Sequence, residues 1–393
     1  MSRERIHYLD WLKVLIVYGI LLFHASLVFT GGTWLVTNKQ GSVVLSAFAG
    51  FCFPWGIPAM FLIAGADAYF GIRSITPLQF VWRRVLRLLL PMVVGLFTLS
   101  PYQRFISSHS PPPPLSKFPA FYMSFFRTFH FDPTLQWISG YWLHLWFLGY
   151  LFAISVVCLP FLGWLRREGG LRFTSYLVRF ANLRGGILIL AAPLVLFQLA
   201  LRPFFPSYQD WADVATYVFV FAMGALLFSD RRFEAAIRRE IHWIVVIGVF
   251  SVIGVAGIFS TVRYNLLALP GLPGAEDAAF AMFWTYDVWA WNLVVLYIGI
   301  RWLDRPNRAM SYAQESILPF YVIHHPVVVT IAAYVVAWSL GVWSKWAIIV
   351  LLGYAITLTL YELGVRRWGV MRTIFGLGPK RRRAEPQPAL SRA

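Results

Sequence analysis

Residues 11–29 read Trp-Leu-Lys-Val-Leu-Ile-Val-Tyr-Gly-Ile-Leu-Leu-Phe-His-Ala-Ser-Leu-Val-Phe, with Lys13 as the only charged side chain. A helix rises about 1.5 Å per residue and the apolar core of a bilayer is about 30 Å thick, so this stretch is long enough to cross a membrane. The run is continuously apolar rather than alternating, which predicts a helix and not a strand of an outer-membrane barrel. No small-residue cleavage pattern follows it, so we expect a first transmembrane helix and not a removable signal.

Similar apolar runs recur along the whole chain. Together with residues 11–29, the further runs are 43–64, 80–99, 142–162, 187–201, 212–228, 241–259, 280–300, 317–338 and 345–363. Most of them approach the roughly 20 residues that a spanning helix needs. The sequence therefore predicts an all-α, polytopic membrane protein with about ten transmembrane helices.

The composition agrees with this prediction. Of 393 residues, 59% are hydrophobic and 13% are charged, and the mean hydropathy is +0.64. A soluble globular chain carries about 25% charged residues. Ordinary soluble and disordered proteins are thereby excluded, and two cysteines are too few for a disulfide scaffold. We expect a single membrane domain over residues 1–365 and a basic, disordered cytoplasmic tail over residues 366–393.

The basic residues predict the orientation. If both termini are cytoplasmic, 27 of the 34 Lys and Arg residues fall in inside segments and seven fall outside. Such an asymmetry follows the positive-inside rule and favours an even number of spans in the cytoplasmic (inner) membrane. The net charge of +17 then reflects topology, and the basic tail lies against anionic lipids of the bilayer. Short juxtamembrane clusters do not suggest a nucleic-acid partner.

One predicted outer segment, residues 100–141, is longer than a tight connection and rich in aromatic residues. An amphipathic helix at the membrane interface explains this composition. A surface on which sugars stack is the alternative.

Few ionisable side chains fall inside the apolar runs, where the bilayer makes them costly and a functional role is the first hypothesis. His24 lies about 20 Å above the inner boundary of the bilayer core, and Asp287 lies about 10 Å below the outer boundary, which is a similar depth. One hypothesis is that Asp287 orients His24 by a hydrogen bond and raises its basicity. The alternative is that His24 bonds a backbone carbonyl and Asp287 pairs locally with Trp289 or Asn292.

Three further histidines are candidates. His144 begins the fourth run, while His324 and His325 precede Pro326 in the ninth, where proline frees backbone carbonyls and bends the helix. No metal site is predicted, because no HExxH-like spacing occurs and adjacent histidines point to different faces of a helix. We expect one of His324 and His325 to face the bundle interior and the other to be structural.

Basic residues at the predicted cytoplasmic end suggest a site for an anionic ligand. Arg84 and Arg87 are three positions apart, so they share a helix face and can clamp a phosphate. Lys13 precedes His24 by about three helical turns, so both project from one face. Positive-inside anchoring explains any one of these residues, and the spacing suggests in addition a ligand channel that runs along the first helix.

These segments together resemble the acyltransferase-3 family of integral membrane acyltransferases. The resemblance covers residues 5–363 in order and includes the ten-span layout. The segments that carry it are Arg5 to Lys13 with Leu22-Phe23-His24, Pro58 to Gly65, Arg84-Val85-Leu86-Arg87 with Pro91, His144 to Leu148 and Tyr321 to Pro326. The last two resemble one particular branch of the family.

The resemblance implies transfer of an acyl group, acetyl or succinyl, from cytoplasmic acyl-CoA to a hydroxyl of a glycan or other acceptor outside the membrane. His24 is then the catalytic base, or the nucleophile of an acyl-histidine relay. Lys13, Arg84 and Arg87 bind the donor, which is a co-substrate and not a permanently bound cofactor. Asp287, His144 and His324 complete the candidate catalytic set, with His144 or Tyr321 as donor to the developing oxyanion.

Two departures from the family pattern limit this prediction. Lys13 stands where the family often has arginine, and the outer hydrolase-like domain that some branches carry is absent. A second class of function is a transporter or flippase for a lipid-linked or anionic small molecule, which uses interior histidines and arginines as proton relay and anion site. The sequence leaves the oligomeric state open.

Overall fold

The computed structural model describes residues 6–32, 34–128, 135–264, 275–305 and 308–378, and all regular structure in these ranges is helical. The first half contains α1 (His7–Leu27), α2 (Val43–Gly71), α3 (Pro77–Arg84), α4 (Leu90–Ile106), α5 (Phe118–Arg127), α6 (Gln136–Trp142), α7 (Trp146–Val157), α8 (Leu159–Trp164) and α9 (Glu168–Ala181). The second half contains α10 (Gly186–Ile189), α11 (Ala192–Leu201), α12 (Trp211–Leu227), α13 (Arg232–Tyr264), α14 (Ala275–Ile298), α15 (Arg308–Val335), α16 (Val342–Thr359) and α17 (Gly369–Ile374). The predicted all-α fold is confirmed.

Seven helical segments of the described chain are long and apolar enough to cross a membrane. They are His7–Leu27, Val43–Gly71, Pro77–Ile106, Gly140–Val157, Arg232–Ile258, Met310–Val335 and Val342–Val365. Two of the other predicted spans correspond to shorter apolar helices, Gly186–Leu201 and Trp211–Leu227, and the third lies within α14. The protein is thus a multi-pass membrane protein, while ten spans and cytoplasmic termini stay predictions.

Local sequence signals set several helix ends near the site. Thr76 and Gln79 form a reciprocal capping box, and Pro77 occupies the first turn of α3. Between α3 and α4 the backbone winds as a π-helix over Val85–Leu89, which contains Arg87. Such wide turns often occur at functional sites.

A close crossing of α2 and α12 requires two glycines. A Cβ atom on Gly65 would lie 1.9 Å from the carbonyl oxygen of Phe221, and one on Gly224 would lie 1.9 Å from that of Leu62. Only glycine permits such an approach of two helix backbones. This contact fixes the inner part of α2, and with it Asp67.

The outer aromatic segment packs on the bundle. Phe118 and Phe121 of α5 contact Phe105 of α4 with ring centroids 5.3 and 5.4 Å apart. This arrangement favours the interfacial-helix interpretation over a free stacking surface. Residues 129–134 of the segment lie outside the described residues.

The predicted tail requires a correction. Residues 369–374 form α17, and Arg372 is buried, so the chain is folded through Gly378. Sequence composition misses this helix because it is only six residues long and lies between the basic pair Arg366-Arg367 and the Lys380 to Arg383 run. Residues 379–393, including the Lys380 to Arg383 run, lie outside the described residues.

Candidate active site

Four histidines from three parts of the chain form one cluster, called here the histidine cluster. His24 is on α1, His144 is in the 3₁₀ turn Leu143–Leu145 before α7, and His324 and His325 are on α15. The ring centroid of His325 lies 4.5 Å from that of His24 and 4.5 Å from that of His144. The sequence identifies these residues singly, and the tertiary fold brings them together.

Hydrogen bonds fix the protonated nitrogen of the His24 and His324 rings. Nδ1 of His324 lies 2.7 Å from the carbonyl oxygen of Tyr321 and 3.1 Å from that of Phe320, so it carries the proton. In a neutral ring its Nε2 then accepts, and it lies 3.0 Å from Nδ1 of His24, which must donate. Nε2 of His24 is therefore left with a lone pair.

The other two rings are held in the same way. Nε2 of His144 donates to the carbonyl of Val322 at 3.1 Å, and its buried Nδ1 has no hydrogen-bond partner in the part of the chain that the structure describes. Nδ1 of His325 lies 2.5 Å from Oε1 of Gln103, whose amide nitrogen donates to the carbonyl of Leu99. We did not predict Gln103, because it lies beyond the predicted run 80–99, and only the structure extends that helix to Ile106.

His24 differs from the other members of the histidine cluster in exposure. Its side chain is partly exposed, whereas His144, His324 and His325 are buried. The indole of Trp34 lies nearly parallel to the His24 ring at 6.0 Å. His24 is thus the member of the histidine cluster that keeps some accessible surface. In the described part of the chain, no group of three or more His, Cys, Asp or Glu side chains is placed to hold a metal ion.

The predicted hydrogen bond between His24 and Asp287 is wrong. His24 bonds His324 instead, and Oδ1 of the buried Asp287 has no hydrogen-bond partner among the described residues. The local alternative is also wrong, because Trp289 and Asn292 donate to backbone carbonyls. Similar depth does not imply contact, since the rotation of each helix decides which neighbour its side chains face.

A cavity of about 1580 Å³ lies at the basic end of the bundle, where α1 begins. Its apolar part includes Val17, Phe147, Leu148 and Leu151, and Tyr321 also lines it. Its charged lining consists of Asp10, Lys13, Asp67, Arg73, Arg83, Arg84, Arg87, Arg231, Glu234 and Asp304. The predicted cationic site is therefore a cavity that also contains carboxylates.

The three predicted donor-binding residues have different surroundings in this cavity. Nζ of Lys13 lies 3.0 and 3.1 Å from the two carboxylate oxygens of Asp67 and 3.1 Å from Oδ1 of Asp10. Its three protons are thereby directed at carboxylates. Arg84 lies over the ring of Phe80 at 5.0 Å, and in the described ranges neither it nor Arg87 forms an ion pair. We did not predict Asp67, because it lies three residues beyond the predicted run 43–64, and only the structure extends that helix to Gly71.

Tyr321 connects the cavity with the histidine cluster. Its ring lines the cavity, its hydroxyl donates to the carbonyl of His144, and its own carbonyl accepts from His324. His24 is not among the residues that line the cavity in the described part of the chain. Tyr321 thus contacts both the basic cavity and the histidine cluster that contains His24.

An all-helical, multi-pass fold with a basic cavity beneath a buried histidine cluster defines a membrane-embedded enzyme site. The chain belongs to the acyltransferase-3 family, because the family described as "Acyltransferase domain" matches residues 6–362. The protein is a membrane acyltransferase, and the family match favours this class over the transporter hypothesis.

The similar curated proteins point to one branch of this family. Glucans biosynthesis protein C of Escherichia coli O157:H7 and that of E. coli strain K12 are each 22% identical to the chain over 380 residues. Each match covers 92% of this chain and 92% of the relative. No solved structure matches the chain.

Proposed function

We propose that this acyltransferase moves an acyl group from acyl-CoA, bound in the basic cavity at the cytoplasmic face of the inner membrane, to a hydroxyl of a glycan at the outer face. The observation that carries the proposal is the chain of hydrogen bonds that leaves a lone pair on Nε2 of the partly exposed His24. A general base needs an unprotonated nitrogen that the acceptor can reach.

Arg84 and Arg87 bind the phosphates of the donor. Both line the cavity, and in the described chain neither is neutralised by an ion pair, so their guanidinium groups are available for charge-assisted hydrogen bonds. The Lys13 ammonium group is bound by Asp10 and Asp67, so it shapes the cavity and contacts acyl-CoA less directly than Arg84 and Arg87 do. The apolar part of the cavity, which ends at Tyr321, then receives the pantetheine arm and the acyl group.

In the reaction, the acceptor oxygen attacks the thioester carbonyl and its proton passes to Nε2 of His24. The imidazolium that forms is stabilised by its Nδ1 hydrogen bond to His324, which two backbone carbonyls orient. The tetrahedral intermediate then expels the thiolate of CoA, which takes the proton from His24. Atoms and charges balance as acyl-CoA plus alcohol giving ester plus CoA thiol.

Tyr321 is the better candidate for the oxyanion donor. The N–H of His144 is directed at the carbonyl of Val322, while the hydroxyl of Tyr321 lies at the end of the cavity and can turn from its carbonyl partner to a developing oxyanion. The competing mechanism has Nε2 of His24 attack the thioester first and carry the acyl group.

The experiment uses the full-length protein reconstituted in liposomes with labelled acetyl-CoA and succinyl-CoA, and measures CoA release with and without a glycan acceptor. We expect acceptor-dependent release in wild type, loss in His24→Ala, and wild-type rates in His109→Ala, which removes an exposed histidine outside the cluster. Equal turnover in wild type and His24→Ala excludes His24 as base and as nucleophile. Labelled acyl group on His24 after donor alone favours the acyl-histidine mechanism.

A further inference from the structure

The folded segment that follows the last long helix packs against the donor site. A Cβ atom on Gly376 would lie 2.8 Å from the carbonyl oxygen of Arg87 and 3.0 Å from its Cα atom. It would also lie 2.9 Å from the side chain of Leu318, which lines the cavity as Arg87 does. The backbone of Gly376 therefore lies directly against the π-helical turn that carries Arg87.

Glycine is required at this position for two reasons. Its φ angle is +67°, a left-handed conformation that other residues adopt at a cost, and the nearest atoms belong to the backbone of Arg87, which has little room to move. Gly376 ends α17, and its N–H donates to the carbonyl of Thr373.

The segment is anchored independently of Gly376. Arg372 is only 8% exposed, donates from Nε and Nη2 to the carbonyl of Gly378 at 3.1 and 3.0 Å, and forms an ion pair with Glu315 of α15. Phe375 packs on an apolar cluster that contains Tyr361 and Val365. The two bonds to Gly378 close the segment on itself, and the ion pair with Glu315 together with the packing of Phe375 ties it to the helical bundle.

We infer that residues 369–378 are a positioning element of the donor site, which fixes the backbone of Arg87 so that its guanidinium stays on the cavity. This inference depends on the proposed function, in which Arg87 binds acyl-CoA. The family match ends at residue 362, so the element lies outside the matched residues. Gly376 touches neither reacting group, and it acts through Arg87.

The experiment measures binding of CoA and acetyl-CoA to the full-length protein by calorimetry, together with kcat and KM. Gly376→Ala is expected to raise Kd and KM about tenfold, roughly 1.4 kcal/mol, and to leave kcat within about twofold of wild type. The matched control is Gly185→Ala, which has a similar left-handed φ of +71° but meets no atom within 4 Å, and it is expected to bind CoA as wild type does.

A double-mutant cycle separates positioning from general destabilisation. If Gly376 acts through Arg87, Gly376→Ala adds little to the loss of CoA affinity that Arg87→Ala already causes. If the two residues act independently, their losses of binding free energy add. If Gly376→Ala does not fold, Arg372→Gln, which breaks the anchor, is tested in the same cycle with the same expectation. Additive losses, or a Gly376→Ala variant that binds CoA like Gly185→Ala, overturn the inference alone. Failure of wild type to bind CoA overturns the proposed function and this inference with it.

Discussion

His24 and His324 share a hydrogen bond of 3.0 Å between Nδ1 of the first ring and Nε2 of the second, across 300 residues of sequence. The far nitrogen of His324 is held by the carbonyls of its own helix, so the arrangement resembles other bases that a second group orients. Because Nδ1 of His24 donates in the bond to His324, the reactive lone pair remains on Nε2 of His24, the ring that is partly exposed. The relationship makes His324 a positioning residue with a testable role.

Removal of the ring of His324 is predicted to lower kcat about 100-fold, because His24 then loses its tautomer and its orientation. His324→Gln keeps an acceptor near Nδ1 of His24 and is expected to recover part of the loss. KM for the donor stays unchanged in both variants, since His324 lies outside the residues that line the basic cavity. Steady-state kinetics of His324→Ala and His324→Gln check this, and equal kcat in both variants contradicts it.

The two unpaired arginines are predicted to affect donor binding. Arg84→Ala combined with Arg87→Ala is expected to raise KM for acyl-CoA at least about tenfold with a smaller effect on kcat, because uniform binding energy is lost. The dependence of KM on salt concentration is also expected to weaken. Arg172→Ala, on an exposed surface of α9, is the control. An unchanged KM rules out the assigned role.

Lys13 is predicted to affect stability more than donor affinity. Lys13→Met leaves the carboxylates of Asp10 and Asp67 without their common partner, which is expected to cost about 1–3 kcal/mol of unfolding free energy. The double variant with Lys13→Met and Asp67→Asn is expected to recover part of the lost unfolding free energy. Thermal unfolding in detergent measures both effects. An unchanged Tm together with a raised KM for acyl-CoA would show instead that Lys13 binds the donor.

Loss of the Tyr321 hydroxyl is predicted to lower kcat by a factor of about 100, the usual cost of one oxyanion donor. Tyr321→Phe preserves the ring and its packing, so KM and Tm are expected to change little. The matched control is Tyr361→Phe, because the buried Tyr361 hydroxyl has no hydrogen-bond partner among the described residues and its removal is expected to be harmless. A wild-type kcat in Tyr321→Phe excludes the Tyr321 hydroxyl as the hydrogen-bond donor to the oxyanion.

Asp287 is predicted to be dispensable for the chemical step. Among the described residues the structure gives it no hydrogen bond to the histidine cluster, and Asp287→Asn preserves its shape. We expect kcat within about twofold of wild type, since a group outside the site does not act in the transition state. A loss approaching that of His24→Ala would restore Asp287 to the catalytic set.

Sequence patterns predict most of the candidate residues but not their partners. His24, Arg84 and Arg87 stand out because charged or ionisable groups in apolar runs are costly. Gln103 and Asp67 were missed because they lie just beyond the predicted runs 80–99 and 43–64, on helices that the structure extends to Ile106 and Gly71. The choice of Asp287 as partner for His24 failed because depth along a helix follows from sequence, whereas the direction that a side chain faces depends on how helices pack.

The amino-acid sequence by itself determined the all-helical membrane fold, the basic end of the bundle and the family, because each of these depends on local hydrophobicity or on a spacing within one segment. The tertiary structure alone decided which side chains meet. It placed His324 on His24, two carboxylates on Lys13, and Gly376 on the backbone of Arg87. Such contacts join residues up to 300 positions apart, and they arise only when the rotation and crossing of every helix are fixed by close packing.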